Sequence, residues 1–87
     1  MAEIKIRLRD SVTEKQVEVE LPDDVAVKNL LPEITRELGV KESIQHRLTN
    51  KTQGFEYNED DTLASRGTKP DAECVLAYEI VQGAWMV

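Results

Sequence analysis

The sequence predicts an α+β domain in which a mixed β-sheet carries one main amphipathic helix, on three observations. Two segments near the N-terminus alternate apolar and polar residues at period two. The stretch after them repeats apolar residues at helical spacing, and the most continuously apolar run, Cys74 to Val81, comes late in the chain. Successive residues of a strand face opposite ways, whereas a helix returns to one face after three or four, so the two periods separate the element types.

In the first strand Ile4, Ile6 and Leu8 alternate with Lys5, Arg7 and Arg9, which puts apolar side chains on one face and cations on the other. Asp10-Ser11-Val12-Thr13-Glu14 is rich in side chains that hydrogen-bond locally and reads as a turn. Alternation then resumes with Val17, Val19 and Leu21 against Gln16, Glu18 and Glu20, completing a hairpin. Its outer face would set Lys5, Arg7 and Arg9 beside Glu18 and Glu20, opposite-charge pairs worth roughly 0.2–1 kcal/mol each.

Pro22-Asp23-Asp24 ends the hairpin, and Val27, Leu30, Leu31, Ile34 and Leu38 recur at helical spacing up to Gly39, a natural C-terminal stop. Pro32 lacks a backbone donor and costs least near a helix start, so the helix is expected to begin near Val27 to Asn29, with Pro32 at the edge of its first turn. Asp23 and Asp24 then precede the positive end of the helix.

A weaker strand signal runs from Ile44 to Asn50 around His46-Arg47-Leu48, followed by a polar turn to Gly54 and a short strand at Phe55-Glu56-Tyr57. Asn58 to Leu63 reads as a turn entering a brief helical segment that Gly67 and Pro70 close off. The final apolar run suits a strand with neighbours on both sides. Placed between the first and third strands it runs parallel to the first, joined by long connections.

Eighty-seven residues leave room for one domain, read as residues 1–82 with a tail at 83–87. The net charge of -6 argues against nucleic acid, whose binders concentrate a basic face, and the interleaved charges read as a solvated surface. No apolar stretch is long enough to span a membrane. The single cysteine, Cys74, cannot close an intramolecular bridge, which fits a reducing, cytoplasmic setting. Met1-Ala2-Glu3-Ile4-Lys5 lacks the apolar core of a signal peptide, so general secretory export is not expected.

No chemistry-bearing constellation emerges. Cys74 and His46 lie on different predicted strands with no nucleophile motif around either, and Cys74 reads as a small buried residue. One Cys and one His fall short of a zinc ligand set, and no metal or cofactor is expected. Ser11, Ser43 and Ser65 lack a nucleophile-elbow setting, and the four glycines form no phosphate loop. Glu59-Asp60-Asp61 lacks the alternating ligands of a calcium loop. The expected protein is not an enzyme.

Over nearly the whole chain, element order and local motifs resemble the ubiquitin-like β-grasp family. The segment Leu21-Pro22-Asp23-Asp24-Val25-Ala26-Val27-Lys28-Asn29-Leu30-Leu31-Pro32 is most similar to the YukD/EsaB branch of bacterial ubiquitin-like proteins. Asp61-Thr62-Leu63 and Asp71-Ala72-Glu73-Cys74-Val75-Leu76-Ala77-Tyr78 are similar to the family's turn and last-strand signatures. The fold hosts modifiers, sulfur carriers, electron-transfer proteins and adaptors, so function rests on the site. One cysteine excludes an iron-sulfur ferredoxin.

The resemblance implies two candidate sites. Aligned with the family, Val75 and Ala77 turn inward and Leu76, Tyr78 and Ile80 face out beside His46 or Leu48, forming a partner-binding patch. In the opposite register Leu76, Tyr78 and Ile80 belong to the core and Glu79 lies outside. The second site is the tail: Gly83 and Ala84 occupy the place where conjugated relatives run into a terminal glycine, which lacks a Cβ and threads a narrow enzyme cleft. Here there is no Gly-Gly, and Trp85-Met86-Val87 follow, with Trp85 a further contact residue. The resemblance therefore implies a prokaryotic modifier matured near Gly83, with activating and conjugating enzymes and a processing peptidase as partners. The alternative is an accessory or adaptor of a type VII secretion system, bound non-covalently to its components.

Overall fold

Ile6 and Leu8 are apolar alternates of the first strand, and both are fully buried while the neighbouring Lys5 and Arg7 are exposed. The strand is β1, Glu3–Asp10, and it pairs antiparallel with β2, Gln16–Pro22. The structure, a computed structural model, describes residues 2–40 and 43–80, the side chains of Ser43, Ile44 and Ile80 excepted. The hairpin register sets Lys5 opposite Glu20 and Arg7 opposite Glu18, as the charge pattern predicts. The ion pairs formed by these cations go elsewhere, however: Lys5 to Asp71 at 3.8 Å, and Arg9 to Glu14 and Glu73 at 3.0 Å each. Exposed pairs of this kind stabilise by about 0–1 kcal/mol.

The helix α1 spans Val27–Leu38 and buries Val27, Leu30, Ile34 and Leu38 along one stripe. Gly39 ends it at φ 73°, the left-handed conformation that a Cβ makes costly, with its N–H donated to the Arg36 carbonyl at 3.2 Å. Pro32 sits well inside this helix rather than at its first turn, so the carbonyl of Lys28 loses its usual partner. The first turn has no side-chain cap. Instead the N–H groups of Val27 and Lys28 donate to the carbonyls of Asp61 and Glu59, at 2.7 and 3.1 Å.

After α1 come β3, Ser43–Asn50, the two-residue β4, Phe55–Glu56, and β5, Glu73–Ile80. The sheet order is β2-β1-β5-β3-β4. The apolar last strand thus lies between β1, to which it is parallel, and β3, to which it is antiparallel. The β3–β5 register slips between Ile44 and Arg47, where Gln45 takes a positive φ of 57°, a bulge that re-aims the side chains around it.

The expected brief helix after Leu63 does not form. Residues 63–67 are turns, and Thr62 and Ser65 satisfy each other reciprocally: each N–H donates to the other's hydroxyl, at 3.0 and 2.9 Å. Hydroxyl side chains that satisfy backbone groups locally compete with helix propagation, and Gly67 at φ 66° completes the reversal. The core lies between α1 and one face of the sheet, where Leu21, Leu48, Leu63, Cys74 and Leu76 join the helix stripe.

Candidate functional site

The parity of β5 decides which of its side chains can meet a partner. Cys74 and Leu76 are fully buried against the helix, and Leu48, opposite Leu76 in the register, is buried with them. Val75 and Ala77 are half-buried on the other face, between exposed Glu79 and half-buried Glu73. The inward turn expected for Val75 and Ala77 is therefore corrected, and with it the surface role of Leu48 and Leu76. Burial in the core cluster claims those two leucines.

Tyr78 and His46 are half-buried at the margin of the core. Their rings are tilted at 36° with centroids 6.1 Å apart, close enough to form one partly exposed aromatic corner. The Tyr78 hydroxyl donates to Asp10, 2.9 and 2.8 Å from its two carboxylate oxygens, across 68 residues of sequence. Asp10 is 1% exposed and also accepts the N–H groups of Val12 and Thr13, at 2.8 and 3.3 Å. Burial by itself raises the Asp10 pKa, but the N–H of Val12, the Tyr78 hydroxyl and Thr13 together hold it below the usual carboxylate range. Burial, and then the Asp10 carboxylate beside it, pushes the Tyr78 phenol up to about 12. One buried anion thus ties the hairpin turn to the last strand, a link that sequence periodicity carries no sign of.

Among the described residues no helix covers the outer face of the sheet. Val75 and Ala77 form a short apolar strip along β5, with Arg9 and Thr49 opposite Val75 and Arg47 opposite Ala77 on the neighbouring strands. Arg9 Nε comes within 3.0 Å of Glu73 Oε2 as an ion pair, without the alignment of a hydrogen bond. Val12, at the hairpin tip, is 51% exposed. An apolar strip rimmed by guanidinium groups suits a protein partner, since recognition surfaces combine a small apolar centre with a polar rim. Gly83, Ala84 and Trp85 of the predicted sites lie outside the described residues, as does the side chain of Ile80.

On the opposite side a cleft of about 230 Å³ opens between the first half of α1 and β3–β4, lined by Val27, Leu31, His46, Leu48, Tyr57 and Glu59 among others. Sequence reasoning missed it. Nearby, Arg66 clamps the loop wall: it pairs with Asp61 at 2.7 Å and stacks over the Phe55 ring at 4.2 Å. The buried amide of Asn50 donates to Gln53 Oε1 and to the Tyr57 hydroxyl, at 3.0 and 3.2 Å, and that hydroxyl also meets Thr68. These contacts tie the turn after Asn50 and the loop at Thr68 to Tyr57, which lines the cleft.

Nucleophilic chemistry at Cys74 is disfavoured on physical grounds, because burial pushes its thiol up to about 11 and leaves it protonated at neutral pH. Among the described residues no group of three or more His, Cys, Asp and Glu is placed to hold a metal ion, and no helix is long and apolar enough to cross a membrane.

No protein-family model matches the sequence, and no curated protein matches it. Solved structures do match. A chain from a structure of molecular mimicry of SUMO in DNA repair has a TM-score of 0.73 at 19% identity, covering 88% of this chain and 92% of that one. A de novo design based on ubiquitin gives 0.71 at 20% identity, covering 92% and 93%. The ubiquitin-like domain of an Arabidopsis thaliana protein gives 0.70 at 19%, covering 93% and 82%. The sheet order, the helix packed on it and these likenesses identify the fold as a ubiquitin-like β-grasp.

Proposed function

We propose that this chain is a non-catalytic prokaryotic ubiquitin-like modifier, matured near Gly83, attached to other proteins through its C-terminus and recognised at the open face of its sheet. The carrying observation is the place of Gly83 in the sequence, three positions after Ile80, which pairs with Ser43 on a central strand. A glycine there suits passage through the narrow cleft of an activating enzyme, since a residue without a Cβ needs less room. The strip of Val75 and Ala77, with Arg47 beside it, is the surface on which conjugating enzymes or readers of the modifier would dock. The reading places the protein in the cytoplasm, with activating and conjugating enzymes and a processing peptidase as partners.

Mass spectrometry of the protein purified from its own cells tests this. Peptides of other proteins branched with a remnant ending at Gly83 or Ala84 are expected, and Gly83→Glu should abolish them. Recovery of intact, unattached chain alone would sink the reading.

A second reading is favoured by the absence of Gly-Gly and by the Trp85-Met86-Val87 run after Gly83. It is a YukD/EsaB-like accessory or adaptor of a type VII secretion system, acting by non-covalent binding at the same face. Deleting residues 84–87 leaves such an adaptor binding its partner, whereas Ala77→Asp, which puts a charge on the apolar strip, removes binding.

A further inference from the structure

β2 is the outermost strand in the order β2-β1-β5-β3-β4, so one side of it pairs with β1 and no described strand pairs with the other. The phase of the hairpin ladder shows which backbone groups are left over. Asp10 donates its N–H to the Lys15 carbonyl at one end of the hairpin, and Asp23 donates to the Ala2 carbonyl at the other, both at 2.9 Å. In an antiparallel pair, hydrogen-bonded and non-bonded positions alternate. Counted through the register from either end, Val17, Val19 and Leu21 bond to β1, which turns the N–H and C=O groups of Gln16, Glu18 and Glu20 outward. Such a row of open groups is a template for another strand.

The side chains determine which strand fits. Val17 and Val19 are half-buried against the core, and Glu18 and Glu20 between and beside them are exposed on the outer face. Lys5 and Arg7 stand opposite these glutamates in the register, yet Lys5 reaches Asp71, and neither Glu18 nor Glu20 has an ion pair among the described residues. A second copy of β2 fits badly. Antiparallel pairing centred on Glu18 sets that residue against itself, pairing centred on Val19 sets Glu18 against Glu20, and like charges directly opposite destabilise a sheet. A strand with cations at alternate positions sets one opposite each glutamate and lays its apolar residues beside Val17 and Val19. β1, the neighbour that β2 already accepts on its other side, has that pattern: Lys5 and Arg7 alternate with Ile4, Ile6 and Leu8.

We propose that the open edge of β2 takes an extended segment of another protein, in which basic and apolar residues alternate, as an added strand of the sheet. Backbone bonds to Gln16, Glu18 and Glu20 supply the attachment, and the two carboxylates supply the selection. The site uses neither Gly83 nor the strip of Val75 and Ala77, so it stands or falls separately from the modifier and adaptor readings.

Short capped peptides that alternate lysine with isoleucine, or glutamate with isoleucine, are titrated into the isotopically labelled 87-residue chain. The lysine peptide is expected to bind saturably and to shift the amide NMR signals of Gln16, Glu18 and Glu20 more than those of Val75 and Ala77. It should also slow hydrogen exchange at Glu18 and Glu20, and the glutamate peptide should not bind. Glu18→Lys/Glu20→Lys should weaken the lysine peptide about tenfold and admit the glutamate peptide, since attraction turns to repulsion at two positions. Glu18→Pro removes an outward N–H without removing a bond to β1, so it should weaken the lysine peptide while the circular dichroism spectrum is kept. Absence of saturable binding by the lysine peptide overturns the proposal, as does equal binding of the two peptides, or a charge-reversed variant that binds the lysine peptide as well as the parent does. Shifts centred on Val75 and Ala77 overturn it in favour of the outer face. Slow exchange at Glu18 and Glu20 that needs no peptide and fades on dilution overturns it in favour of a second copy of the chain.

Discussion

Replacing Tyr78 with Phe removes one hydroxyl and leaves the ring, which isolates the link between the last strand and the hairpin turn. The hydroxyl lies 2.9 and 2.8 Å from the two oxygens of an almost fully buried carboxylate. Hydrogen bonds to charged groups contribute about 1.5–3 kcal/mol, and Tyr78 is only half-buried, so a loss of about 1–2 kcal/mol at neutral pH is expected. The gap between the two proteins should depend on pH at both ends. Asp10 has a depressed folded pKa, so its stabilisation is present above the unfolded value near 4 and is lost as pH falls through the folded one. Tyr78 has a raised folded pKa of about 12, so its contribution is complete below the unfolded value near 10 and fades as pH rises through 12. Urea unfolding followed by circular dichroism, from about pH 3 to about pH 11, should show the gap widest in the middle and narrowing on either side. A gap that stays constant across that range refutes the coupling, as does an Asp10→Asn/Tyr78→Phe double variant whose losses simply add.

Leu76→Ala should cost about 2–5 kcal/mol and Val75→Ala less than about 1.5, measured by the same unfolding, because only the first empties a core site. Pro32→Ala should stabilise by about 1–3 kcal/mol, since an exposed helix interior regains a donor for the Lys28 carbonyl, and thermal melting would read it. The Cys74 thiol, buried and titrating near 11, should resist an aromatic disulfide reagent at pH values around 8 in the folded chain and react at once in urea.

The hairpin and the helix were legible because their two faces differ in chemistry: Lys5 and Arg7 against Ile6 and Leu8, Lys28 and Asn29 against Val27 and Leu30. In β5 the contrast fails at Cys74 to Ala77, every one of which is apolar, so periodicity there has no phase. The phase was available from the charges at the ends of the strand. Glu73 and Glu79 share parity with Val75 and Ala77, and a carboxylate resists desolvation, so that parity faces water. The Asp10–Tyr78 bond and the cleft arise from tertiary juxtaposition across β1, β3, β5 and α1, which no local pattern encodes. The absent helical turn at residues 63–67 was hidden for another reason, because the mutual hydroxyl bonds of Thr62 and Ser65 compete with a helix that the composition allows.

The uncapped start of α1 bears on how the chain acquires its structure. Its two leading donors wait for the carbonyls of Asp61 and Glu59, made more than thirty residues later. During synthesis the helix must therefore form with a frayed beginning, which is tied off only when the 58–67 loop closes over it. In the finished protein the same dependence makes one cooperative unit of both: the amides of Val27 and Lys28 should exchange with solvent in step with that of Ala64, whose N–H holds the loop to Asp23 at 2.9 Å. A breathing motion of that loop would open the wall of the cleft and loosen the head of the helix in the same event.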